Sequence, residues 1–438
     1  MNLRMAAARA VTVGLLAVSG TVASSAASAS NGFFLPGYGS RSLGLGGGGT
    51  ALPEDALTVV NNVAGLMVID DRTDLGATLY TPWTEIEIGD QRGSTELHYF
   101  LAPSFGMRRA IGDTAAWGFA IYGNGGIGNR YHPSPIDQVV GGGEETGLED
   151  TDDLSLRMVS LLIVPSVAWQ ATPEHAFGVG LLVAYQRLNA KGLRHFACLT
   201  PEGAADPGCP PGPPGERVGD LTNEGWDDQV GGGLRLGWLW TVNPQLSIGA
   251  GASTKIISTR FKAYENLLPD GGRFELPAMV NLGLAWHATR ALTMVFDFQR
   301  VYYESSAAFG NKGPAVGVPP QPDQLLGNDR GYGFGWRDQN IYKLGFRYAP
   351  PDARWIWRFG MNYGQSPLRR SELAFGLLNP AVTELSAHIG FSYRLRNGDE
   401  ITMAFLHGFR ETPAGMTVLG PAELDHEEFA LDFTYTWR

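Results

Sequence analysis

Phe429, Leu431, Phe433, Tyr435 and Trp437 stand on one side of the carboxy-terminal segment, and Glu428, Ala430, Asp432, Thr434 and Thr436 stand on the other. A strict period of two marks a strand whose two faces meet different surroundings. The pattern returns in Trp355, Trp357, Phe359, Met361 and Tyr363, in Leu385, Ala387, Ile389, Phe391 and Tyr393, in Tyr342, Leu344, Phe346 and Tyr348, and in Phe177, Val179, Leu181, Val183 and Tyr185. About fourteen such segments can be counted, centred near residues 79, 103, 119, 162, 181, 236, 252, 282, 297, 344, 359, 389, 405 and 433. A soluble sandwich would need a second sheet over each aromatic face, and a propeller would show a blade-length repeat that this chain lacks. The longest apolar run, Met158 to Trp169, is broken by Ser160, Pro165 and Ser166, so no stretch reaches the roughly 18 residues of a membrane helix. Backbone groups in lipid must pair within the protein, which leaves closure of the strands on themselves. The expected fold is therefore all-β: a transmembrane antiparallel β-barrel of about 14 strands.

The amino terminus agrees with that destination. Arg4 and Arg9 precede an apolar stretch, Val11 to Val18, and small residues follow to Ala29. Residues 1–29 read as an export signal with cleavage after Ala29. Its removal takes away two Arg and no acid, which moves the formal charge from -11 to -13. An acidic chain without a basic cluster argues against nucleic acid as a partner. In an oxidising compartment Cys198 and Cys209, the only cysteines, are expected to close their Pro/Gly-rich loop as a disulfide. Two cysteines without further ligands at suitable spacing make a poor metal site.

Residues 30–72 do not alternate. They contain the run Gly44-Leu-Gly-Gly-Gly-Gly49, then Pro53-Glu-Asp, which suits the start of a short helix. An irregular segment of about forty residues ahead of a barrel is expected to fill it as a plug, or hatch. The chain then divides into a signal (1–29), a hatch (30–72) and a barrel (73–438). Short turns at Thr172-Pro173-Glu174, Asn243-Pro244 and Asn397-Gly398 alternate with long Gly/Pro/Asp-rich stretches near 130–152, 195–225, 304–335 and 367–380. Barrels of this kind carry short periplasmic turns and long outer loops.

Enzyme signatures are discounted. Gly44-x-Gly46-x-x-Gly49 and Gly123-x-Gly125-x-x-Gly128 match a dinucleotide fingerprint in spacing only, since neither opens a helix after a strand. No catalytic residue, metal or cofactor is assigned. His287 and His388 fall on polar strand faces, where hydrogen bonding in the lumen is the commoner role. Leu156, Met158, Leu162 and Val164 share one face and Val159, Leu161 and Ile163 the other, so part of the lumen is expected to be apolar. Asp297, Lys343, Arg347, Arg358, Arg394 and Asp432 fall on interior faces and are expected to pair with each other or with the hatch. The other reading is that Lys343, Arg347 or Arg358 meets a carboxylate headgroup.

The chain resembles the FadL-type family of outer-membrane long-chain fatty acid transporters, which includes aromatic-hydrocarbon transporters. The resemblance rests on ordered signatures: Asn31-Gly32-Phe33, the Gly-rich run with Pro53-Glu-Asp-Ala-Leu, and Asn61-Asn62-Val63-Ala64-Gly65-Leu66, with Val63 where the family has proline. Phe274-Glu-Leu-Pro277, Trp336 to Gly345, Trp357-Arg-Phe-Gly360 with Tyr363 and Ser366-Pro367, and Glu384 to Gly390 with Tyr393 follow. The last residue is Arg438 rather than an aromatic. The resemblance implies a fourteen-strand barrel, a hatch gating an apolar pocket, and a wall opening at a kink in the third strand. Gating residues are then Asn31, Gly32, Phe33, Phe34, Asn61, Asn62, Val63, Ala64, Gly65 and Leu66. The kink falls on Gly123, Asn124, Gly125 and Gly126, whose other reading is the end of the strand. The implied function is passive uptake of hydrophobic small molecules across the outer membrane by a monomer whose partners are ligand, membrane lipid and the barrel assembly machinery. A porin for polar solutes, an outer-membrane enzyme and an adhesin are the alternatives.

Overall fold

The computed structural model describes residues 31–140, 153–205 and 219–438. The expected signal, and Cys209 of the expected disulfide, lie outside the described residues. Seventeen strands occur in chain order: β1 (Arg72–Ile88), β2 (Gln91–Ser94), β3 (Phe100–Ile111), β4 (Ala115–Tyr131), β5 (Leu154–Gln170), β6 (His175–Lys191), β7 (Asp227–Asn243), β8 (Leu246–Ser253) and β9 (Ile257–Ser258). Then come β10 (Met279–His287), β11 (Leu292–Val301), β12 (Gln339–Tyr348), β13 (Trp355–Gly364), β14 (Leu385–Arg394), β15 (Glu400–Glu411), β16 (Ala414–Thr417) and β17 (Gly420–Trp437). Setting aside the short β2, β9 and β16, fourteen remain, and each contains or abuts one of the centres read from the alternation.

Each of the fourteen pairs antiparallel with its neighbours, and β1 closes the ring against β17 from Thr73↔Trp437 to Ile88↔Ala422. The outward set carries exposed aromatic and aliphatic side chains, among them Leu79, Leu236, Leu284, Phe359, Phe405 and Phe433. Trp169, Trp286, Trp355 and Trp437 stand exposed near the short-turn ends of their strands, as a girdle at a membrane interface does. Gly398 turns the chain at φ 94° in the Asn397-Gly398 connection, a conformation that excludes most side chains.

The wall is uneven. β1, β4, β5, β6 and β7 have 17 residues and β17 has 18, whereas β8 and β10 to β14 have 8 to 10. Crossing the hydrocarbon takes about 9–11 tilted residues, so the tall wall stands well clear of the bilayer on the long-loop side. Loops 254–278, 302–338 and 365–384 rise from the short wall, and their Phe261, Tyr264, Phe274, Tyr303, Phe309, Trp336, Leu373 and Leu377 are buried in one apolar cluster with Leu154, Met158, Leu162, Leu182 and Leu188 of the tall wall. Loop 254–278 is a long connection that the alternation did not reveal. Arg394, expected inside, is exposed at the short-turn rim.

Candidate functional site

Residues 31–71 lie inside the ring. Asp55 caps the turn Ala56–Val60 by accepting from Leu57 N at 3.1 Å, and Asn62 caps Val63–Met67 by accepting from Ala64 N at 3.1 Å. Val63 opens its turn, the position at which proline is tolerated because the N–H there has no helical partner. Glycines on the wall let this backbone approach: a Cβ at Gly251 would sit 2.0 Å from Asn61 O, and one at Gly360 would sit 2.1 Å from Gly46 N.

The body of the segment is held by charge. Arg41 pairs with Glu400 at 2.9 Å and Asp74 at 3.2 Å, and Arg72 joins Asp74 at 3.0 Å. Glu54 receives Arg358 at 2.8 and 3.0 Å and Arg347 at 2.6 Å. Burial alone would raise the Glu54 pKa, but the two guanidiniums outweigh it and hold the carboxyl well below the usual range. Asp297 accepts from the backbone N–H groups of Gly49 and Thr50 at 2.9 and 2.8 Å, and Lys343 Nζ donates to Gly47 O at 3.2 Å. Asp432 accepts from the Ser40 hydroxyl. The three cations named as headgroup contacts, Lys343, Arg347 and Arg358, are thus engaged by the hatch. A carboxylate ligand would have to displace Glu54 or the hatch carbonyls to reach them. His388 and His287 bond hydroxyls in the lumen, Ser386 at 2.8 Å and Thr293 at 2.9 Å.

The tip of the segment is held differently. Phe33 and Phe34 are buried and meet edge to face at 5.7 Å. Phe33 also packs on Phe274 and Phe309, each at 5.5 Å, and Phe34 stacks on Tyr303 at 6.1 Å. Tyr303 packs on Trp336 at 5.0 Å and fixes the tip with its hydroxyl, which donates to Asn31 O at 2.7 Å and accepts from Phe33 N at 2.9 Å. Gly32 makes the intervening turn at φ 69°.

This tip docks at an irregularity in the wall. The β4–β5 ladder shifts register between Gly123 and Gly125 and then continues to Tyr131, so the glycines form a bulge inside a strand. The β3–β4 ladder runs from Ile111↔Ala115 only as far as Ser104↔Tyr122, where Pro103 offers no N–H. Beyond that point Phe100 to Pro103 pair with β1, and Gly125 forms a bridge with Phe34. A Cβ at Gly125 would lie 2.0 Å from Phe33 O. Asn124, the extra residue of the bulge, accepts from the Tyr38 hydroxyl through its carbonyl at 2.5 Å.

The structure brings Asn31, Gly32, Phe33 and Phe34 together with Gly123, Asn124, Gly125 and Gly126. It sets Asn61 to Leu66 apart, toward the short turns: Asn62 donates to Trp238 O at 2.8 Å and Leu66 accepts from Arg108 at 3.0 Å. Cys198 is disulfide-bonded. The aromatic partners Tyr303 and Phe309 went unnoticed in the sequence because they sit in a loop with no periodicity, whereas Phe274 and Trp336 lay inside family signatures without an assigned role.

A family model described as outer membrane protein transport protein (OMPP1/FadL/TodX) matches residues 20–412. The Pseudomonas putida toluene transporter TodX superposes with a TM-score of 0.69 at 19% identity, covering 92% of this chain and 98% of that one. The Ralstonia pickettii toluene transporter TbuX gives 0.64 at 20% identity, with the same shares of 92% and 98%. A FadL homologue of Pseudomonas aeruginosa gives 0.66 at 16% identity, covering 93% and 99%. No curated protein matches the sequence.

Proposed function

The chain belongs to the outer-membrane transport protein family that takes in FadL and TodX, and from that premise we propose that it is a passive channel for hydrophobic small molecules, either long-chain fatty acids or aromatic hydrocarbons. It is an outer-membrane β-barrel and a transport protein rather than an enzyme. The observation that carries the substrate reading is the aromatic tip, Phe33 and Phe34, packed in an apolar outer lumen directly against the Gly125 bulge.

An apolar solute leaving water gains roughly 25 cal/mol per Å² of surface it buries, so entry into this lumen needs no energy source. The solute exchanges places with the tip, whose rings already satisfy the apolar wall. Return of Phe33 and Phe34 displaces the solute toward the bulge, where the β3–β4 ladder stops, and from there into membrane lipid. The charged body of the hatch stays in place and bars water and ions during the exchange. The barrel works as a monomer, and its terminal Trp437-Arg438 strand is the one offered to the assembly machinery.

Deletion of residues 30–34 tests the reading in intact cells that produce the full barrel and lack other hydrophobic channels. Saturable uptake of labelled fatty acid or alkylbenzene should fall while the purified barrel keeps its heat-modifiable migration; unchanged uptake would remove the tip from the mechanism. Steady ion conductance of the wild type in planar bilayers would instead identify a porin for polar solutes.

A further inference from the structure

At the level of the bulge, one rung of the inner wall is polar. Gly125 pairs with Ser160, Ser160 with Gln186, and Gln186 with Gln229 across four adjacent strands. Paired residues of an antiparallel ladder point to the same face, so the three side chains share the lumen side with the bulge residue Asn124 at their end. Ser160, Gln186, Gln229 and Asn124 are each no more than 2% exposed. On β5 and β6 the neighbouring inward positions are apolar: Met158 and Leu162 flank Ser160, and Ala184 and Leu188 flank Gln186, all buried.

Hydrogen bonding within the rung is incomplete. Gln229 Nε2 donates to Gln186 Oε1 and to Phe274 O, both at 2.7 Å. Asn124 Nδ2, Ser160 Oγ, Gln186 Nε2 and Gln229 Oε1 have no partner. Buried polar groups are nearly always paired, because an unpaired one forfeits its hydration. Phe33 rests against Gly125 at one end of the rung and packs on Phe274, whose carbonyl is bonded by Gln229 at the other.

The free capacity has a definite chemistry. The amides of Asn124 and Gln186 donate, Gln229 Oε1 accepts, and the Ser160 hydroxyl does both. A hydrocarbon satisfies none of them. A carboxylate only accepts, which leaves Gln229 unpaired and sets a charge in a rung that contains no cation. A hydroxyl both donates and accepts. Resting on the transport reading above, we propose that Asn124, Ser160, Gln186 and Gln229 form a polar subsite beside the wall bulge that receives the hydroxyl of an otherwise apolar molecule. The channel then prefers uncharged amphiphiles, such as alkylphenols, to hydrocarbons of the same size.

The test compares para-butylphenol with para-butyltoluene, in which a methyl replaces the hydroxyl, as uptake above that of cells without the protein. A site built to bond a hydroxyl rejects the analogue that lacks it, and a preference of at least about tenfold for the phenol is expected. In Gln186→Leu/Gln229→Leu the ratio should drop to within about twofold through loss of phenol uptake, with butyltoluene uptake retained. Ser160→Ala, which perturbs the wall least, should lower the ratio by roughly threefold through loss of one hydrogen bond. Equal uptake of both probes by the wild type, or a ratio unchanged in the variants, would overturn the subsite and leave the transport reading intact. Uptake of neither probe by the wild type would overturn both. Para-butylbenzoate, ionised at neutral pH, entering as readily as the phenol would overturn the restriction to uncharged ligands.

Discussion

The hatch is anchored in two unlike ways along its length. From Ser40 to Glu54 it is bound to the wall by buried ion pairs and charge-assisted hydrogen bonds, with Arg41 and Glu54 of the hatch and Asp74, Asp297, Lys343 and Arg358 of the wall all engaged. From Asn31 to Phe34 it is bound by ring packing and one tyrosine hydroxyl. Buried ions have strict geometry and are expensive to separate, so the body is fixed. Apolar burial asks less of geometry than ion pairing and can be matched by an apolar molecule of similar size, which is what the proposed exchange of tip and solute requires. On the proposed function, that difference allows movement where a hydrophobic solute competes and denies it where ions would leak.

The contrast breaks most severely at Glu54. Glu54→Gln leaves Arg358, which is fully buried, facing a neutral amide, and breaking a buried pair in this way costs about 3–5 kcal/mol. Lower resistance to urea, together with a steady ion current in planar bilayers, is the expected result. If the variant stays as stable and as tight as the wild type, the body is not held by this pair.

At the tip, Phe33→Ala removes a ring from a packed cluster, an effect of up to about 3 kcal/mol on docking of residues 31–34. On the proposed competition of tip and solute for the same lumen, the variant should bind alkylbenzene more tightly and release it more slowly, read by fluorescence competition and by uptake rate. The barrel's melting should not move. Looser binding would mean that Phe33 forms part of the ligand site rather than its competitor.

Gly125→Ala sets a methyl 2.0 Å from Phe33 O, and overpacking of this kind costs about 1–3 kcal/mol. Faster protease cleavage near Phe34 without global unfolding is expected, and unchanged cleavage would separate the bulge from tip docking. The smallest effect is that of Tyr303→Phe, which deletes a hydroxyl bonded to Asn31 O and Phe33 N and weakens docking by about 1 kcal/mol. The same cleavage assay should rank it below Gly125→Ala.

How much could be read beforehand divides along the same line. Every barrel strand was legible, since lipid on one side and lumen on the other write a period of two directly into segments such as Trp355 to Tyr363. The inward direction of Lys343 and Arg358 followed from that period. The Arg358 partner did not, because Glu54 lies some three hundred positions away in a segment without periodicity, and only the fold selects it. The bulge at Gly123 to Gly126 was visible as glycines in a strand, but its contact with Phe34 was not. Loop residues such as Tyr303 and Phe309 were least legible: their packing depends on loops rising from the short wall to meet the tall one.

The close approach of hatch and wall also bears on the order of assembly. With Gly46 N against Gly360 and Asn61 O against Gly251, the lumen leaves no clearance through which the segment could be threaded afterwards. The seam that completes the ring joins β17 to β1, and β1 follows the hatch directly in the chain. Residues 31–71 must therefore be in position before that seam zips shut, and they act as the mandrel around which the last strand closes.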